Sequence, residues 1–195
     1  MIVSVILAHP YDKSFNYGIK DQVLKTLNEL GHEVYFHDLY SENFNPVMTS
    51  FELENNYSQD PLVELHCEEI VKAHGIVIIH PNWWGQPPAI LKGWVDRVLR
   101  YNLAYKDIVK DDGKVEVVGL LTTNQVIIIN TGNTDEDSEN NIFLDPLETL
   151  WKNCIFGFCG AKAVHRMLLR VVAESTPDIR AGWLFDIDKT LRDLL

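Results

Sequence analysis

Three uninterrupted runs of branched apolar residues limit most strongly how this chain can fold: "IVSVILAH" (2–9), "GIVIIHP" (75–81) and "QVIIINT" (125–131). A strand with one wet face alternates apolar and polar residues. A strand without alternation is covered on both faces, the usual condition of parallel sheets in α/β proteins. Two weaker segments complete the set, "EVYFHDL" (33–39) and "AKAVHRMLLRVV" (161–172). Helical spacing separates them. Phe15, Ile19, Val23, Leu24, Leu27 and Leu30 recur at the period of a helix that Gly31 stops. Further helices are expected over 61–74, from about Pro88 to Arg100, over 142–158 and over 176–195. Within 88–100, Ile90, Leu91, Trp94, Val95, Val98 and Leu99 form a broad apolar face, while Lys92, Asp96 and Arg100 read as a solvated one. Residues 40–60 are polar and irregular, long for a plain connection. Five strand–helix alternations predict a doubly wound α/β sheet with right-handed crossovers and helices on both faces.

At 195 residues with no repeat or linker, the chain reads as one domain spanning 1–195. Its net charge of −11 argues against nucleic acid and anionic membranes as partners, and any anionic ligand must be held by local groups. No apolar stretch reaches the ~18 residues of a membrane span, and the N-terminus reads as a strand, not a leader. Cys67, Cys154 and Cys159 form no even set and no CxxC pair, which suggests a reducing cytoplasm. Neither GxGxxG, a P-loop nor GxSxG occurs, and no cluster has zinc spacing, so no metal is expected.

Ligands of such sheets bind beyond the carboxyl ends of the strands, which selects three loops. In "HPYDKSFN" (9–16), Ser14 or Asn16 can cap the following helix, whose N-terminus also suits a phosphate, with His9 and Lys13 adding charge. "NTGNT" (130–134) brings a glycine and several polar groups to a strand end. "HPNWWGQP" (80–87) places two tryptophans between a strand and a helix. An indole wall, backbone amides and a phosphate site together ask for a planar phosphorylated ligand, and a flavin meets all three demands.

Together with "DLYSENFNPV" (38–47), "PPAILKGWVDRVL" (87–99), "FCG" (158–160) and "TPDIRAGW" (176–183), these loops resemble the NAD(P)H:quinone oxidoreductases of flavodoxin-like fold. That group includes mammalian quinone reductase, bacterial modulators of drug activity and potassium-efflux ancillary proteins. The resemblance spans nearly the whole chain. It implies a five-stranded parallel sheet in the order 2-1-3-4-5 and a cytoplasmic homodimer with its site at the interface, where Trp94 and the 40–60 segment would find a use. By resemblance, His9, Ser14, Phe15 and Asn16 would hold the flavin phosphate and ribityl region. Pro81, Asn82, Trp83 and Trp84 would line the ring, and Asn130, Thr131 and Gly132 would meet its pyrimidine end. FAD is expected first and FMN second, with NAD(P)H as co-substrate and a quinone-like acceptor. The family often carries two glycines after the fourth strand, where this chain has Gly132-Asn133, and its mammalian members follow with a tyrosine and a histidine that are missing here. His80 and Tyr105 stand as candidate catalytic substitutes. Two other roles stay open: an ancillary subunit of a potassium-efflux transporter, and an electron carrier of flavodoxin type.

Overall fold

The computed structural model describes residues 1–195. The branched runs become β1 (Ile2–Leu7), β3 (Gly75–Pro81) and β6 (Gln125–Thr131), with β2 (Glu33–Asp38) and β7 (Val164–Leu169) beside them. Parallel pairing gives the order β2-β1-β3-β6-β7, which is the expected 2-1-3-4-5 once the sheet's own strands are counted in sequence. Two strands outside this sheet were not anticipated: β4 (Tyr105–Val109) and β5 (Val115–Gly119) form an antiparallel hairpin. Its residues are mostly exposed, so it shows no apolar run.

Period-two alternation sorts the central strands into two cores. Val3, Val5, Leu7, Val77, Ile79, Ile127 and Ile129 face α1 (Phe15–Glu29) and α6 (Pro177–Leu194). Ile6, Ile76, Ile78, Val126 and Ile128 face the other layer. That layer contains α3 (Pro61–Lys72), α4 (Ala89–Val98) and a segment built from α5 (Pro146–Thr149) and the π-helical stretch Leu150–Gly157. Each fully buried aliphatic side chain contributes roughly 1.5–3 kcal/mol. The strand expected over 161–172 spans only Val164–Leu169, and the chain turns left-handed just beyond it at Val171, φ 54°.

The 40–60 segment is a packing arm of its own chain. It contains α2 (Ser50–Asn55), opened by a capping box of Thr49 and Glu52. Glu52 also pairs with the buried Arg97 of α4 at 2.8 Å. Gly93 of α4 permits the approach: a Cβ there would lie 2.2 Å from the Pro46 carbonyl oxygen. Two expectations for this helix are corrected. Trp94 is fully buried within its own chain and donates to His66 Nδ1 at 2.8 Å, so it is no subunit contact. Arg100 is not solvated; it is buried and pairs with Glu64 at 2.9 Å. No helix is long and apolar enough to cross a membrane.

Candidate active site

The chain leaves β1 for one side of the sheet and β3 for the other, so the loops after them diverge and open a crevice at the strand ends. A cavity of about 370 Å³ lies there. It is lined by His9, Ser14, Phe15, Asn16, Pro81, Asn82, Trp83, Thr131 and Gly132, nine of the eleven residues expected to hold a cofactor, with Asn133, Thr134, Val172 and Ala173.

Its floor is the N-terminus of α1. The first-turn N–H groups of any helix lack intrahelical acceptors, and no acidic residue occupies this turn. The N-cap is Ser14, yet its hydroxyl makes no capping bond, whereas Thr49, Asp60 and Thr176 all cap their helices. Ser14 Oγ is buried without any partner. Asn16, only 3% exposed, donates from Nδ2 to Thr131 Oγ1 at 2.9 Å, while its Oδ1 is also buried and unpartnered. Leaving such groups unmatched costs about 1–3 kcal/mol each, so they read as donors and acceptors reserved for a ligand. His9 Nδ1 meets the Tyr11 backbone at 3.1 Å (N–H) or 3.2 Å (C=O), leaving Nε2 without a protein partner; burial lowers its pKa. Arg180 also reaches the cleft, with no motif in the sequence to signal it. Its guanidinium lies 5.7 Å from the Phe15 ring and is held by Ser175 Oγ and the Val172 carbonyl.

The double tryptophan is divided between two spaces. Trp83 and Gln86 exchange backbone hydrogen bonds of 3.0 Å, closing a two-residue turn at Trp84 (φ 58°) and Gly85 (φ 69°). Two central residues at positive φ mark a type I′ turn, which favours Asn-Gly and disfavours a bulky first residue. Trp83 faces His9, with ring centroids 6.1 Å apart, and lines the first cavity. Trp84 stands fully exposed at the rim of a second cavity of about 560 Å³. This second space is bounded by Asn82, Gly85, Thr134, Glu139, Ile142, Phe143 and Pro146, and it shares Asn82 and Thr134 with the first.

Besides Trp84, three expected residues lie outside the first cavity: Asn130, His80 and Tyr105. Asn130 and His80 pair in register on β6 and β3 and both point beneath it, fully buried. His80 donates from Nδ1 to the Pro81 carbonyl at 2.8 Å and accepts at Nε2 from Trp151 (3.0 Å) and Asn130 (2.5 Å). Asn130 Oδ1 accepts from Arg166 at 2.6 Å, and Arg166 pairs with Asp145 at 2.7 Å. Burial holds the His80 pKa down to about 3. A sealed neutral imidazole with both nitrogens in use cannot exchange protons with a ligand, so His80 is not catalytic. Tyr105 lies elsewhere, in an apolar groove with Val95, Leu99 and Phe158.

A cluster of His37, Glu42 and His66 has ligand atoms within 4.8 Å. Because Trp94 donates to His66 Nδ1, the proton of neutral His66 sits on Nε2, 3.3 Å from Glu42 Oε2. Both His37 nitrogens face carboxylates, Glu42 at 2.8 Å and Glu69 at 2.6 Å. These side chains thus hold one another in place beside the core.

A model of the flavodoxin-like fold family matches residues 1–188. An uncharacterised NAD(P)H oxidoreductase of Haemophilus influenzae is 35% identical over 83% of this chain and 79% of its own length. NAD(P)H dehydrogenase [quinone] 1 of Rattus norvegicus is 27% identical over 92% and 73%. Among solved structures, the NAD(P)H:quinone oxidoreductase of Methanothermobacter marburgensis superposes with a TM-score of 0.80 at 25% identity, over 100% of this chain and 96% of that one.

Proposed function

The chain belongs to the flavodoxin-like fold family, among its NAD(P)H oxidoreductases, and we propose that it is a flavin-dependent enzyme reducing quinones or related acceptors by two electrons. One observation carries the cofactor assignment. Ser14 Oγ and Asn16 Oδ1 are buried, unpartnered and set at the N-terminus of α1 inside the cleft that Trp83 walls. That donor and acceptor set fits a phosphorylated planar ligand, because the helix end favours an anion and the indole favours a ring.

In this reading Ser14, Asn16 and the first turn of α1 hold the phosphate end, with Arg180 supplying nearby positive charge in a chain that is otherwise strongly acidic. Pro81 to Trp83 wall the ring and exclude water from one face. Thr131 and Gly132 border its polar end. FAD is the first choice and FMN the second, since "SFN" and "NFNPV" resemble the FAD-containing vertebrate enzymes. A bound flavin supplies the hydride chemistry between NAD(P)H and the acceptor. His80 and Asn130 act from below, fixing the Pro81 carbonyl and the strand ends in place. We further propose a homodimer in the cytoplasm, with the site at its interface.

The test is purification, reconstitution with FAD and with FMN, and gel filtration with light scattering. Flavin absorbance should co-elute with a dimer that oxidises NAD(P)H in the presence of a quinone. A colourless protein after both reconstitutions overturns the proposal.

A further inference from the structure

Beside the cofactor cleft, the larger cavity has walls of contrasting chemistry. Trp84, Phe143 and Pro146 make it apolar and aromatic, and Glu139 is the one ionisable group that lines it. Glu139 is only 2% exposed. Its Oε1 accepts one hydrogen bond, from Asn82 Nδ2 at 3.1 Å, and no lysine, arginine or histidine pairs with it. Buried carboxylates are ordinarily matched by a cation or by several donors. Here a single neutral amide serves, so the site is electrostatically incomplete. Asn82 in turn is fixed through Oδ1, which accepts from the Gly85 backbone at 2.9 Å. The carboxylate, the amide and the tryptophan turn therefore form one connected piece, joined to the first cavity through Asn82.

Resting on the reading of the first cavity as a flavin site, we propose that the second cavity is the acceptor site, and that Glu139 makes it select cationic and neutral planar aromatics over anionic ones. Aromatic walls at the rim attract a flat ring, and a positively charged one most strongly. The desolvated carboxylate repels sulfonates and carboxylates at short range, where salt screens least. The net charge of −11 acts in the same direction at longer range. Acceptors of this class include phenazinium and other N-alkylated heteroaromatic dyes, and unsubstituted naphthoquinones.

The experiment compares two fluorescent planar probes, berberine (a cation) and 8-anilinonaphthalene-1-sulfonate (an anion), on wild type, Glu139→Gln and Phe143→Ala. It is run in both flavin-loaded and flavin-free protein, with circular dichroism to confirm folding. Wild type should bind the cation at least tenfold more tightly than the anion. Glu139→Gln should shrink that ratio about tenfold, while Phe143→Ala should weaken both probes together. On loaded enzyme, kcat/KM for menadione, its sulfonated analogue and N-methylphenazinium should shift in the same charge order. A probe ratio that Glu139→Gln does not move overturns the proposal. Loss of flavin retention, read from absorbance on the same samples, would instead remove the cofactor reading, and the two failures are thereby told apart.

Discussion

The two walls of the cleft are built on opposite principles. The wall proposed to hold the cofactor consists of strand ends and a helix N-terminus, with His80 and Asn130 locked beneath it by a closed hydrogen-bond network. The far wall is residues 134–146, a π-helical turn at Ser138–Ile142 followed by two left-handed residues, Leu144 (φ 59°) and Asp145 (φ 41°). Ile142, Phe143 and Leu144 project largely into solvent there. A fixed wall suits a resident cofactor that must keep one orientation. A strained, exposed wall suits transient ligands of varied shape, since strain held by the surrounding structure gathers at such sites.

The largest expected effect breaks the fixed wall. In His80→Leu the N–H groups of Trp151 and Asn130 lose their acceptor inside the core, at about 1–3 kcal/mol each. Urea unfolding at pH 7 should show a loss of about 2–5 kcal/mol. The pH dependence gives an independent signature. The folded pKa of His80, about 3, lies below its ordinary 6.5 because burial disfavours the charged form. The unfolded chain thus binds the proton first, and the stability His80 contributes is complete above pH 6.5 and declines as pH falls toward 3. For a shift of that size the decline is on the order of 5 kcal/mol, and His80→Leu should flatten this limb. His37 works the other way. Burial opposes its charge, but hydrogen bonds to Glu42 and Glu69 outweigh burial and raise its pKa. Its contribution is present below pH 6.5 and lost as pH rises through the raised value, so the two histidines are separable by the sign of their slopes.

The second effect is local to the cofactor wall. Asn16→Ala removes the bond to Thr131 and the free Oδ1 together. Flavin affinity should fall about tenfold to a hundredfold, some 1.4–2.8 kcal/mol, when measured by equilibrium dialysis of flavin against the apoprotein. The same assay applied to Phe143→Ala sharpens the contrast, because that change is expected in acceptor KM. Equal losses of flavin affinity in both variants would show that the walls act as one.

The gathering of these residues at one cleft was legible in the sequence, because they directly follow apolar runs whose period fixes where the strands end. Parity along those strands also carries placement information. His80 shares its face with Ile76 and Ile78, and Asn130 with Val126 and Ile128, which lie in the core that contains Trp151. Counting by twos would have placed both side chains beneath the cleft. The far wall was not legible. Glu139 sits just past Asp135-Glu136-Asp137, in an acidic stretch with no apolar pattern to mark a buried position, yet a π-helical turn folds it inward. No glycine marks the left-handed pair Leu144-Asp145, and the π geometry breaks the 3.6 period by which a helix is recognised. Arg180 was hidden for a different reason: its contact with Phe15 joins the first and last helices, a relation that only the tertiary packing creates.

The smallest effect tests whether the strain at the rim serves a function. Trp84 occupies the first central position of its tight turn at φ 58° with its side chain fully exposed, so the indole contributes no burial to offset the left-handed backbone. Such a conformation costs a bulky residue roughly 1–2 kcal/mol, and asparagine tolerates it with local hydrogen bonding. Trp84→Asn should therefore raise the urea midpoint, by about 0.5–1 kcal/mol in stability, while Gly85 keeps the turn in place. If the indole is retained as the aromatic rim of the acceptor cavity, the same variant should raise acceptor KM about threefold and leave flavin bound through Trp83. A variant that is more stable and equally good with acceptors would strip Trp84 of that role. One that is less stable would show that the indole packs against a surface this single chain does not contain, which places the tight turn in the subunit interface.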